Sequence, residues 1–108
     1  MNPFYINACL RTIFNFIERA TQEERLIYMD KYNLIELLSQ ISQDKYIMSD
    51  KFYLIKILAE LTNGKEEARY INNKNTIFKV RALKSIVSKK ESYKIHVFIF
   101  LSNLIEYV

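Results

Sequence analysis

Pro3 and Gly64 are the only proline and the only glycine in a chain of 108 residues. Turn-dense folds use these residues at tight reversals, because glycine supplies positive φ and proline presets φ near −65°. So small a supply excludes sandwiches, barrels and other turn-rich all-β architectures. It also excludes the dinucleotide fingerprint and the P-loop, since each phosphate-binding loop needs more than one glycine. Helices joined by short polar connections need few forced turns, and they remain open to this chain. Half of the residues are hydrophobic, which is enough for the core of one domain, 1–108, without disulfides or metals.

Apolar residues recur at three- and four-residue spacing, the period of an amphipathic helix. Leu10, Ile13, Phe14 and Ile17 predict a first helix over 3–20, with Asn2 as N-cap and Pro3 at the first helical position. Thr21-Gln22-Glu23-Glu24 has capping-box spacing and opens a second helix over 22–31, with Leu26, Ile27 and Tyr28 on its apolar side. Asn33 caps a third over 34–43, whose stripe is Leu34, Leu37, Leu38 and Ile41. A fourth starts after Ser49 or Asp50, carries Phe52, Ile55, Leu58 and Leu61, and ends at Asn63-Gly64. Gly64 suits the left-handed position that closes a helix. A short fifth helix covers 65–71. Asn75 caps a sixth, with Ile77, Val80, Leu83, Ile86 and Val87 apolar. Ser88-Lys89-Lys90-Glu91 opens a seventh, whose core stripe is Ile95, Phe98, Leu101, Leu104 and Ile105.

The chain also matches itself at long range. Ile17 pairs with Leu61, Arg25 with Arg69 and Ile27 with Ile71, each pair 44 residues apart, and Leu61 pairs with Leu104 at 43. A period of this size marks helical repeat architectures. The run Ile57-Leu58-Ala59-Glu60-Leu61-Thr62-Asn63-Gly64-Lys65-Glu66-Glu67-Ala68-Arg69 resembles the armadillo repeat. There a third helix closes on a Leu-x-x-Leu-x-Asn/Gly turn and an acidic first helix follows. Phe100-Leu101-Ser102-Asn103-Leu104 is similar to the same third helix. Helical hairpin repeats of the HEAT type give similar stripes. The resemblance covers about residues 8–108. It implies an all-α, short right-handed α-solenoid of about seven helices and two and a half repeats, and binding rather than catalysis. In the family an asparagine on the third helix holds an extended peptide in the concave groove. The matching positions here are Phe16, Glu60 and Asn103, and only Asn103 keeps it. Where the family tends to place a glycine before the second helix, this chain has Asn33 and Asn75.

Little in the sequence suggests chemistry. His96 is the only histidine, and Cys9, the only cysteine, is expected to be a small buried side chain. No cysteine-cluster zinc site and no intrachain disulfide can form. Neither an enzyme nor a cofactor nor a metal site is expected. Glu23-Glu24 and Glu66-Glu67 fit helix N-termini, where carboxylates favour the macrodipole. The absence of a basic leader and of a long apolar run leads to the expectation of an intracellular protein, cytoplasmic or nuclear, off the membrane.

Charge and the last helix point to partners. Residues 1–68 hold 8 Lys/Arg and 10 Asp/Glu, net −2, while residues 69–108 hold 8 and 2, net +6. Lys84, Lys89 and Lys90 lie in a basic set with Lys79, Arg81 and Lys94 that would face an acidic protein or RNA phosphates. Tyr93 is the one clear aromatic among them for base stacking, so sequence-specific RNA recognition is not expected. The last helix is apolar nearly all round, and a terminal helix of that kind calls for a cover. Val97, Phe100 and Tyr107 are expected on its outward side, and with Asn103 they are the expected partner contacts of this helix. The expected function is a non-enzymatic adaptor or small subunit, bound to a protein partner, a larger assembly or a second copy. The alternative is a basic helical factor on a ribonucleoprotein such as the ribosome.

Overall fold

The computed structural model describes residues 3–42, 52–74 and 91–107. Among these the regular structure is entirely α-helical, in six helices: α1 (Pro3–Arg19), α2 (Gln22–Asp30), α3 (Leu34–Ser42), α4 (Phe52–Leu61), α5 (Lys65–Lys74) and α6 (Glu91–Glu106). The sixth helix expected from sequence, over residues 75–87, lies outside the described residues, as do the expected caps Asn2, Ser49, Asp50, Asn75 and Ser88. Among the described residues no helix is long and apolar enough to cross a membrane.

The helix ends follow local chemistry. The Glu24 N–H donates to Thr21 Oγ1 at 3.2 Å, and the Thr21 N–H donates to Glu24 Oε1 at 3.1 Å. This reciprocal pair satisfies two donors at the start of α2, as the sequence predicts. Asn33 adopts a φ of 55°, a left-handed conformation that asparagine tolerates better than most residues. It stands where the armadillo resemblance expects a glycine. Its carbonyl accepts the first bond of α3, from the Leu37 N–H at 3.1 Å.

Gly64 departs from expectation, because its φ is not positive. It opens α5 instead of closing α4, and its carbonyl accepts from the Ala68 N–H at 2.9 Å. A larger residue there would displace a neighbouring side chain. The Glu67 carboxylate lies where a Cβ on residue 64 would sit, and Glu67 itself is buried. α5 also runs to Lys74, beyond the expected limit at 71.

α4 is the central element. Leu54, Ile55, Ile57, Leu58, Ala59 and Leu61 are all buried, so most of its circumference is covered, with half-buried Phe52, Tyr53, Lys56 and Glu60 on the remaining side. α1 and α6 both pack against it, while α2 meets both α3 and α5, and α5 meets α6. The buried residues of α1 are Ile6, Leu10, Phe14 and Ile17. Three of them match α4 at the 44-residue spacing, as Leu10 with Leu54, Phe14 with Leu58 and Ile17 with Leu61, and all six are buried.

Elsewhere the faces differ from the expected stripes. Met29, not Ile27, is the buried residue of α2. In α3 Ile35 takes the inward place expected of Leu37, which is exposed. Cys9 is exposed as well.

Leu61 is fully buried at the end of α4. Leu61→Ala should destabilise the fold by about 2–5 kcal/mol, the loss of transfer energy plus the cavity left behind. Chemical denaturation measures this directly, and a change below ~0.5 kcal/mol would place the side chain outside the core.

Candidate binding surface

α6, which packs on α4 and α5, has apolar residues nearly all round, but only one side of it is buried. Val97 and Phe100 are 0% exposed and Leu104 is buried with them. On the opposite side Ile95 is 58% exposed, Phe98 56% and Ile105 74%, with Ile99 beside them. The spacing sets these four on one face of the helix.

This reverses the expected orientation. Val97 and Phe100 belong to the core and cannot touch a partner while the domain is folded. Ile95, Phe98 and Ile105, expected to point inward, point outward. Of the expected core stripe, Leu104 is buried and Leu101 packs half-buried against the core. Tyr107 is half-buried. The cause is the composition of the helix, since residues apolar all round fit two stripes at three- and four-residue spacing equally well.

Polar contacts favour one of these rotations. Asn103 Nδ2 donates to the Ala59 carbonyl at 3.3 Å, to Thr62 Oγ1 at 3.2 Å and to Asn63 Oδ1 at 3.3 Å. Asn72 Nδ2, on α5, donates to the Leu104 carbonyl at 3.1 Å. Asn103 therefore turns toward α4 and brings Phe100 and Leu104 with it. Its amide nitrogen serves the fold. Lys84, Lys89 and Lys90 lie outside the described residues.

A second apolar surface is formed without α6. A groove of about 350 Å³ opens between α1, α2 and α3, lined by Ile13, Phe16, Ile17, Tyr28, Tyr32, Leu34 and Leu37. Phe16, Tyr32 and Leu37 are exposed. Sequence reasoning missed this groove. The available signal was Phe16, a large aromatic flanked by polar Asn15, Glu18 and Arg19 on the side away from the core stripe.

A cleft of about 210 Å³ opens among α1, α4 and α6, with Phe14, Lys56, Glu60, Asn63, His96 and Ile99 in its walls. Lys56 Nζ sits 4.5 Å from the Phe14 ring centroid, 5.4 Å from that of Tyr53 and 5.8 Å from that of Phe52, in cation–π range of all three. The Phe52 ring meets His96 edge-on at 5.3 Å. Burial and then the Lys56 charge lower the His96 pKa from its ordinary value, so the ring favours its neutral form.

Beside the cleft, Arg25 joins three segments. Its Nε donates to the Ile17 carbonyl at 3.0 Å, one terminal nitrogen donates to the Glu60 carbonyl at 3.2 Å, and the other pairs with Glu60 Oε1 at 3.0 Å. Among the described residues no group of three or more His, Cys, Asp or Glu is placed to hold a metal ion. Compared with family models, curated proteins and solved structures, the chain has no match.

Two outcomes follow from these contacts. Arg25→Lys cannot reproduce the planar fork, and losing its charged hydrogen bonds should cost roughly 1.5–3 kcal/mol in chemical denaturation. A loss within ~0.5 kcal/mol would mean that the bridge adds little to the fold. For His96 the folded-state pKa lies below the unfolded value of about 6.5, so the unfolded chain binds the proton more tightly. The stabilising contribution is complete above that pH and declines as pH falls from there to the folded value. His96→Gln should flatten the pH dependence of stability below about pH 6.5, the unfolded value. An unchanged slope would assign the dependence to other groups.

Proposed function

We propose that the chain is a non-catalytic protein-binding module, a short armadillo-like segment that enters a larger assembly by docking through the outward face of α6. The observation that carries this reading is the exposure of Ile95, Phe98 and Ile105 on one side of one helix. A cluster of large apolar side chains facing water marks an interaction site more often than chance exposure. Covering each one contributes about 1.5–3 kcal/mol to association.

The row α1–α4–α6 and the burial of equivalent residues 44 apart support the armadillo-like part of the reading. The +6 charge of residues 69–108 supports an acidic partner, because complementary charge speeds encounter. The same charge supports the competing reading, a partner made of RNA.

Phe98→Ser with Ile105→Ser tests the docking face. Both side chains are exposed, so the far-UV circular dichroism and melting of the double variant should match the parent. Affinity purification from native cells should lose the proteins that co-purify with the parent. Retention of those proteins would remove α6 as the docking face. Co-purifying RNA that survives the substitutions and falls away steeply with salt would favour the RNA reading.

A further inference from the structure

We infer that the cleft among α1, α4 and α6 is a binding site for a carboxylate on a short apolar stem, with Lys56 as its counter-ion and His96 as a second donor. The site and the docking role of α6 do not depend on each other. Three observations carry the inference.

The first is a cation left without an acid. Lys56 and Glu60 stand four residues apart on α4, a spacing at which opposite charges can pair along a helix. Here they do not pair. Glu60 Oε1 lies 3.0 Å from the Arg25 guanidinium, and Glu60 Oε2 accepts from Asn63 Nδ2 at 3.5 Å. Arg25 secures the acid with two further bonds, to the Ile17 and Glu60 carbonyls. Among the described residues Lys56 has no ion pair and no hydrogen bond. Half-buried, it rests its ammonium against the rings of Phe14, Tyr53 and Phe52. Ring faces attract a cation but offer no oxygen to its three N–H groups.

The second is the company that cation keeps. One ring touches both donors: Lys56 Nζ is 5.8 Å from the Phe52 centroid, and the His96 ring is 5.3 Å from it. The charged groups in the cleft walls, among the described residues, are Lys56 and Glu60, both on α4. α1 contributes Phe14, and α6 contributes His96 and Ile99. Because Arg25 matches Glu60, the Lys56 charge stands in excess. After burial, that same charge is what holds His96 toward its neutral form. An anion against Lys56 offsets the repulsion and lets the imidazole become a cationic donor.

The third is size and lining. The cleft holds about 210 Å³, below the roughly 300–1,000 Å³ of pockets that enclose drug-sized ligands. Phe14, Ala59 and Ile99 give it apolar wall for a short methylene stem. A single excess charge matches a monoanion. The chemistry is that of an acidic side chain or of a free short-chain acid.

His96 is the only histidine of the chain, so its imidazole protons report the site directly in an NMR titration. Two probes are compared at ionic strength held constant with sodium chloride: sodium propionate, and a blocked tripeptide with a central glutamate. The same peptide with a central glutamine is the control. A carboxylate probe should shift the His96 signal to saturation and raise its pKa by about one unit. By linkage the protonated site then binds about tenfold more tightly than the neutral one. Saturation by both probes assigns the site to short-chain carboxylates in general. Saturation by the peptide alone assigns it to an acidic side chain of a protein partner, and by propionate alone to a free acid.

Lys56→Met keeps the stem among the rings and removes the charge. It should abolish the saturable shift while circular dichroism shows the fold intact. If it unfolds, Lys56→Gln replaces it, and the parent titration against the glutamine peptide still decides. A parent chain with no saturable response to either carboxylate overturns the inference. So does an equal response to the glutamine peptide, or a folded Lys56→Met chain that still responds. The docking face of α6 stands or falls separately, since neither Phe98 nor Ile105 lines the cleft.

Discussion

The last carbonyl groups of α4 point into the space between helices, and donors reach them from several segments. A helix end leaves its terminal carbonyls without intrahelical donors, and in a buried setting each unpaired group costs about 1–3 kcal/mol. Here the Leu58 carbonyl takes the Thr62 hydroxyl at 2.8 Å, and the Ala59 carbonyl takes both that hydroxyl and Asn103 of α6. The Glu60 carbonyl takes the Arg25 guanidinium and the Asn63 N–H. Arg25 also holds Ile17 near the end of α1. One requirement, to satisfy the end of a buried helix, thus ties the positions of α1, α2 and α6 to α4. Apolar burial supplies the driving force. The polar ties limit how the helices can rotate and slide within that burial.

This division explains which features were legible in the sequence. Local signals with their own chemistry read well. The Thr21–Glu24 capping box lies where its spacing predicts, and the stripe Leu10, Phe14 and Ile17 faces the core. Features set by long-range contacts did not read. Gly64 looked like a helix terminator, but its φ is not positive and its close neighbour is a side chain three residues ahead. The rotation of α6 could not come from a sequence apolar on both sides, because it depends on what Asn103 meets 40 residues or more away. Arg25 was visible only as half of a repeat pair, and its partners Ile17 and Glu60 come together only in the fold.

The same logic applies to the candidate surface. The sequence correctly raised the expectation of one apolar face of the last helix left uncovered, but assigned it to the wrong residues. Composition alone set the amount of apolar surface, while the polar ties set where it went. The basic half remains a matter of charge and not of geometry, since Lys84, Lys89 and Lys90 lie outside the described residues. What the described residues contribute is a buried core and two exposed apolar surfaces, one on α6 and one among α1, α2 and α3.

Glu67 and Gly64 carry a consequence for how this sequence can drift. The buried carboxylate occupies the volume that any larger residue at position 64 would claim. A change at 64 therefore obliges that carboxylate to swing aside, although the backbone there would accept any residue. Once position 67 has become smaller, that adjustment is no longer needed. The sole glycine of the chain and the acid three residues on are thus coupled, so that the effect of a change at one depends on what stands at the other.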